Sequence, residues 1–161
     1  MDRRTATRNR WLEVLARHRP PTVGADAPTV WSRKYDLASR DEIVAIQNEK
    51  LSALTPFLYE NSAFYRRRFE RLGLLPDDIQ SIDDLGRWPV VTKDEMAVDA
   101  AQSPPWGTYL TIGDEEWQDR GWSHFYSSGS TGQSRAFRYT KTDLGYWTWA
   151  NMRGLQAMGI G

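Results

Sequence analysis

The chain has no cysteine. That excludes disulfides, a cysteine nucleophile and thiolate metal sites, and it agrees with a cytoplasmic protein. An excess of charge is also lacking: Lys and Arg total 21 and Asp and Glu total 21, so the formal net charge is zero. No long-range field therefore favours nucleic acid or an anionic membrane as a partner. No apolar run approaches the roughly 20 residues needed to cross a bilayer, and no signal-peptide core follows the N-terminal arginines. The common nucleotide fingerprints are missing as well. A Walker A loop needs Gly-Lys-Ser/Thr after the first Gly and four residues, but the sixth position counted from Gly129 is Ser134, and no Gly-x-Gly-x-x-Gly occurs.

What the chain does have is a run of small polar residues, Tyr126-Ser127-Ser128-Gly129-Ser130-Thr131-Gly132-Gln133-Ser134-Arg135, between two aromatic, strand-like segments. Gly129 and Gly132 can adopt positive φ and let backbone N–H groups converge. The hydroxyls of Ser127, Ser128, Ser130 and Thr131 add donors around the same point. A phosphate is the natural guest of such a loop, whereas a flexible linker or a plain hairpin turn is the reading without function.

The remaining sequence reads as helices with few strands. Arg3, Arg4, Arg8, Arg10, Arg17 and Arg19 surround Trp11, Leu12 and Leu15, which suits a basic helical leader, with a transit peptide as the rival reading; Pro20-Pro21 ends it and a Pro-rich linker runs to Pro28. Ser39 with Glu42 and Thr92 with Glu95 are capping boxes, and Thr140 with Asp143 resembles a third cap. Ile43, Ile46, Leu51, Leu54 and Leu58 form an apolar stripe at helical spacing, and Phe64, Tyr65, Phe69 and Leu72 form a second one ending at Gly73. Leu144, Trp147, Met152 and Leu155 predict a third face that Gly159 closes. Arg66, Arg67 and Arg68 are expected on a solvated face rather than in a nucleic-acid patch. Thr108–Ile112, Trp122–Tyr126 and Ala136–Tyr139 read as strands. The acidic pairs Asp77-Asp78 and Asp83-Asp84 suit helix starts rather than a metal. His124 is read as structural, and the eight Trp as core or interface rather than an aromatic-substrate box.

The loop resembles the phosphate-binding motif of the adenylate-forming superfamily, Ser-Ser/Thr-Gly-Thr-Thr-Gly-Lys-Pro. Ser127, Ser128, Gly129, Ser130, Thr131 and Gly132 match it, with Ser130 conservative; Gln133 stands for the Lys and Ser134 for the Pro. Arg135 and Arg138 are near enough in sequence to replace the lost charge. A second pattern precedes it: Asn61-Ser62-Ala63-Phe64-Tyr65, then Pro76-Asp77-Asp78-Ile79, Ile82-Asp83-Asp84-Leu85 and Trp88-Pro89-Val90-Val91-Thr92-Lys93-Asp94-Glu95. Together these resemble the N-terminal region of phenylacetate–coenzyme A ligases, from about Tyr35 to Gly161, with residues 1–34 unmatched.

The resemblance implies an α/β fold, with α+β as the alternative: residues 1–34 as helix and linker, and 35–161 as the first, incomplete part of an AMP-binding domain. It implies ATP, Mg²⁺ and coenzyme A, and a carboxylic acid of aromatic type, though benzoate-type, heteroaromatic and antibiotic-pathway acids stay open. It places Ser128, Gly129, Ser130, Thr131 and Gly132 as the phosphate cradle with Ser127 and Gln133 at its edges, and assigns no other catalytic residue and no metal ligand. The chain by itself is expected to be inactive, the N-terminal portion of a ligase through truncation, a split gene or an expression boundary. Its missing C-terminal portion would be one partner, and a homodimer stays open. The reading from another class is a non-catalytic helical interaction module or a ligase remnant.

Overall fold

The computed structural model describes residues 1–19, 32–88, 90–113, 116–117, 122–127 and 136–160. These form two compact units, one of residues 1–19 and 39–111, the other of residues 20–38 and 112–161. The described architecture is mostly helical with one two-stranded antiparallel sheet, in keeping with the expected mixed class.

The first unit is built on helix α3 (Arg40–Asn61). It starts where the capping box requires. The Ser39 hydroxyl accepts from the Glu42 backbone N–H at 3.2 Å, and the Glu42 carboxylate accepts from the Ser39 N–H at 2.7 Å. Its most buried positions are Ala53, Thr55, Phe57 and Asn61, not the Ile/Leu stripe, which is half-buried. The shift arises because α3 is covered on two sides. Helix α1 (Arg3–Arg17) covers one, stacking Trp11 on Phe57 with ring centroids 6.1 Å apart and burying Val14. Two short 3₁₀ turns (Pro76–Asp78 and Ile82–Arg87) cover another; there the Thr55 hydroxyl lies 3.1 Å from the Pro76 carbonyl and 3.2 Å from that of Ile79, whose side chain is wholly buried. Asp78 and Asp84 cap these turns, accepting from the Leu75 and Ser81 N–H groups at 2.7 and 2.9 Å.

The basic helix α1 is therefore a packed element. Its polar side chains bind along α3: Asn61 donates to the Thr7 hydroxyl at 3.2 Å, His18 Nε2 lies 2.6 Å from Glu49, Arg17 pairs with that same Glu49, and Arg10 reaches the Ser52 hydroxyl at 3.5 Å. The Pro-rich linker expected after it lies outside the described residues.

Helix α4 (Ala63–Arg71) begins at Ser62, whose hydroxyl accepts from the Tyr65 N–H. Gly73 at φ +64° ends the following turn, as a C-terminal glycine does. Phe64 and Phe69 are buried, and Phe69 and Trp88 rings meet at 5.5 Å. Each such phenyl group contributes about 1.5–3 kcal/mol by leaving water. Helix α5 (Lys93–Gln102) carries the Thr92–Glu95 capping box. The expected strand at 108–112 is not formed. Its carbonyls are used elsewhere: Thr108 accepts from the Phe64 N–H at 3.2 Å, and Tyr109 from the Ser62 hydroxyl at 3.1 Å, so this segment caps α4 instead of pairing with a strand.

The second unit holds helix α2 (Arg33–Asp36), strands β1 (Trp122–Tyr126) and β2 (Ala136–Thr140), and helix α6 (Lys141–Ala157). Thr140 and Asp143 form the third capping box, so β2 runs straight into α6. Tyr35 packs edge-on against Trp149 at 5.9 Å, and Asp36 pairs with Arg153 at 2.7 Å. Gly159 at φ +77° follows α6.

Candidate functional site

The small-residue loop leaves β1 and returns on β2. In the register Trp122 pairs with Thr140, His124 with Arg138 and Tyr126 with Ala136. Tyr126 and Ala136 are therefore cross-strand neighbours, about 4.5–5.5 Å apart at Cα, and they hold together the two ends of segment 127–135. Ser127 follows β1 directly and is exposed to solvent. Ser128, Gly129, Ser130, Thr131, Gly132 and Gln133 lie outside the described residues, as does Arg135.

Arg138 does not stand at the loop mouth. It sits one pleat repeat into β2, level with His124, and its guanidinium lies over the Trp117 ring at 5.4 Å. Of the two arginines expected to replace the missing lysine, this one is already committed to a buried indole. The donor set of 127–135 fits a polyphosphate: backbone N–H groups, four hydroxyls before Gln133, and no carboxylate to repel the anion. It offers no hard-cation ligand of its own beyond hydroxyls, and among the described residues no group of three metal-ligating side chains occurs. Mg²⁺ is therefore assigned to none of the described residues.

Four of the eight Trp side chains pack against other aromatic rings. Trp11 stacks on Phe57, Trp88 tilts against Phe69, Trp149 meets Tyr35 edge-on and Trp147 tilts against Phe125. No shared aromatic box forms among them.

One polar cluster of the first unit was not anticipated. Arg68 is 5% exposed; it pairs with Glu95, donates to the Val90 carbonyl at 2.7 Å and lies over the Phe64 ring at 5.5 Å. Arg67 reaches Asp99 and the Thr108 hydroxyl, both at 2.8 Å, and Arg66 donates to the Tyr59 and Glu60 carbonyls at 2.9 Å. Arg68 departs from the expected solvated face, whereas Arg66 and Arg67 keep 40% and 56% of their side chains exposed while they bind their partners, because α4 faces α5 and the 108–109 segment as well as water. Within the triplet, the sequence signal for burial was the i, i+4 placement of Arg68 with Phe64, on the apolar side of α4. Phe64, Arg67, Arg68, Glu95 and Asp99 line a groove of about 490 Å³ together with Arg71, Asp94, Val98 and Gln102. Its three arginines and three carboxylates balance, so it has no preference for an anion.

The Thr92 backbone N–H and then the Arg68 guanidinium hold the Glu95 carboxyl down at about 2. A carboxyl lowered in the fold contributes stability above its unfolded value, near 4.5, and loses it as pH falls toward 2. Thermal melts from pH 6 to pH 2 should therefore show an acid-induced fall in Tm. That fall should be shallower in Glu95→Gln, which keeps the cap but cannot titrate; equal slopes would remove Glu95 from the acid response.

No family model matches the chain. Curated relatives do. It is 32% identical over 124 residues to phenylacetate–coenzyme A ligase of Escherichia coli (strain K12), covering 77% of this chain and 26% of that protein. It is 31% identical to the ligase of the same name from Thermus thermophilus, covering 81% of this chain and 27% of that one, and 31% identical to that from Pseudomonas putida, covering 83% and 28%. By sequence, this is a relative of the phenylacetate–coenzyme A ligases. It spans about a quarter of the length of these relatives. Two solved structures share the fold. One is an open conformation of 2-hydroxyisobutyryl-CoA ligase in complex with 2-HIB-AMP and CoA, at a TM-score of 0.71 and 25% identity over 86% of this chain and 30% of that chain. The other is the same ligase with 2-HIB-AMP and CoA in the thioesterification state, at a TM-score of 0.63 and 26% identity over 75% and 24%. The phenylacetate–coenzyme A ligase resemblance thus rests on most of this chain, and the mixed α and β architecture agrees with it.

Proposed function

We propose that this chain supplies the ATP phosphate-binding part of a phenylacetate–coenzyme A ligase-like enzyme. In that reaction a carboxylate attacks the α-phosphate of ATP, giving an acyl-adenylate and pyrophosphate; the thiol of coenzyme A then displaces AMP. The observation that carries the reading is the β1–β2 pairing of Tyr126 with Ala136 around a carboxylate-free Ser/Thr/Gly segment, in a chain whose curated relatives are such ligases. Ser128, Gly129, Ser130, Thr131 and Gly132 form the cradle, with Ser127 and Gln133 at its edges. Its N–H and hydroxyl donors hold the β- and γ-phosphates, so the charge that builds on the leaving pyrophosphate meets dipoles already in place. Gln133 donates without a positive charge, which lowers affinity relative to a lysine loop.

The acid is aromatic in this reading, and the enzyme works in the cytoplasm. Orienting the acid against the α-phosphate supplies much of such a rate, and nothing in the chain assigns an acyl pocket. The 161 residues alone should therefore release no AMP above background when given ATP, Mg²⁺, coenzyme A and phenylacetate. Acid-dependent AMP release by the chain alone would refute the division of labour. The loop assignment is tested separately: Thr131→Ala should weaken Mg·ATP binding about tenfold by calorimetry, the value of one hydrogen bond to a charged group. Unchanged affinity would remove Thr131 from the cradle.

A further inference from the structure

The hairpin that carries the loop is a two-stranded sheet, and an isolated pair of strands is marginal in water. Contacts from outside the two strands must hold it shut. Successive side chains of a strand point to opposite faces, so Arg138 projects from one face of β2, and Phe137 and Tyr139 from the other. On that other face Phe125 meets the Tyr139 ring at 5.3 Å and the Trp147 ring of α6 at 6.1 Å, but Phe125 is 41% exposed and Trp147 55%. This side is half open to water.

The Arg138 side is closed by Trp117. The Trp117 backbone N–H donates to the Gly113 carbonyl at 3.2 Å, a single helical turn that delivers the indole to the strand. The residue is 4% exposed, and its indole N–H has no hydrogen-bond partner among the described residues. No hydrogen bond of its own therefore orients the ring. The Arg138 guanidinium lies over it at 5.4 Å, and a cation over a desolvated indole is the strongest form of this contact. Arg138 also stands only two residues, about 7 Å, past Ala136, the last position of β2 before the loop.

We propose that Arg138 and Trp117 are a positioning pair for the phosphate loop: their stack pins β2, keeps Tyr126 against Ala136 and so fixes how both ends of segment 127–135 are presented. This rests on the phosphate reading above and gives Arg138 a different part in it from the one expected. The guanidinium does not replace the missing lysine charge; it acts through the strand.

Calorimetry of the whole chain with Mg·ATP tests this, at a temperature where each variant is folded. Arg138→Met removes the charge and keeps the length, whereas Trp117→Leu removes the ring and keeps the charge. Each should weaken Mg·ATP binding about tenfold. The double variant should bind no more weakly than either, because the same contact is lost in all three. Arg138→Lys restores a cation over the ring and should bind within about twofold of the unaltered chain. Added salt should weaken binding by the same factor with and without Arg138, since the guanidinium does not touch the anion. Hydrogen exchange at the amides of β1 and β2 should accelerate about tenfold in both single variants and stay unchanged in α3. Unchanged affinities, losses that add in the double variant, or a salt dependence that flattens in Arg138→Met would overturn the proposal. Should Trp117→Leu fail to fold, Arg138→Met decides it through affinity, salt dependence and exchange. If the unaltered chain binds no Mg·ATP, the phosphate reading fails, and exchange decides the pin by itself: acceleration in both single variants supports it, and unchanged exchange overturns it.

Discussion

Arg68→Ala is expected to cost about 1.5–3 kcal/mol of folding free energy, the range for hydrogen bonds to a charged group, since Glu95 is a third exposed and no buried charge is stranded. The Arg68 side chain is only 6% exposed, and three kinds of contact converge on it: the Glu95 carboxylate, the Val90 carbonyl at 2.7 Å and the Phe64 ring. Truncation leaves that carbonyl without its donor and opens a cavity between α4 and α5. For a chain of this size the loss corresponds to a fall of roughly 3–12 °C in Tm. Arg67→Ala is the control on the neighbouring residue. Its side chain is 56% exposed, so its ion pair with Asp99 is screened and worth at most about 1 kcal/mol. A thermal melt of both variants checks the ranking. Equal losses would mean that burial of Arg68 contributes nothing special.

Gly107→Ala should be at least as damaging, at about 3 kcal/mol, for two reasons that add. Gly107 sits at φ +74°, where an L side chain is strained. A Cβ there would also stand 2.5 Å from Asp99 Oδ2 and 3.0 Å from the Tyr109 ring. Asp99 cannot easily yield. It is 5% exposed and accepts hydrogen bonds from the Thr108 N–H, from the Thr108 hydroxyl at 2.7 Å and from Arg67 at 2.8 Å. Displacing it would release the 108–109 segment that caps α4, so the variant should lose protection at the Phe64 amide in hydrogen exchange as well as global stability. Gly86→Ala, with nothing within 4 Å of the new Cβ and no positive φ, should be near neutral. If Gly107→Ala were as mild, the tight turn would not be what fixes α4 to α5.

These two positions show where the sequence was legible and where it was not. Helix starts were readable because a capping box is local: Ser39 with Glu42, Thr92 with Glu95 and Thr140 with Asp143 each need only residues three apart, and all three form. The strands flanking the loop were readable for the same reason, from short aromatic runs. Burial was harder, because it depends on what comes from elsewhere in the chain. Arg68 reads as a surface cation until α5 supplies Glu95 from 27 residues away. The α3 core lies at Ala53, Thr55 and Phe57 because α1 and the 3₁₀ turns cover that side. Thr108–Ile112 has strand-like composition, yet its carbonyls meet the start of α4 before any strand. The candidate loop was legible as a motif, Ser127 to Gln133, and the hairpin register explains how its two ends are held. The role of Arg138 was not legible, since its partner Trp117 lies 21 positions upstream.

The account turns on phosphate recognition by the 127–133 segment, and calorimetric titration of the whole chain with Mg·ATP tests it most directly. Saturable binding is expected, displaced competitively by pyrophosphate and not by adenosine, because a cradle of N–H and hydroxyl donors recognises the phosphates rather than the base. On the proposed cradle, binding should be lost in Gly129→Val, whose β-branched side chain disfavours the positive φ that a glycine can adopt. No saturable binding by the folded chain, or displacement by adenosine as effective as by pyrophosphate, would contradict the assignment and leave the hairpin as a structural element of a ligase relative.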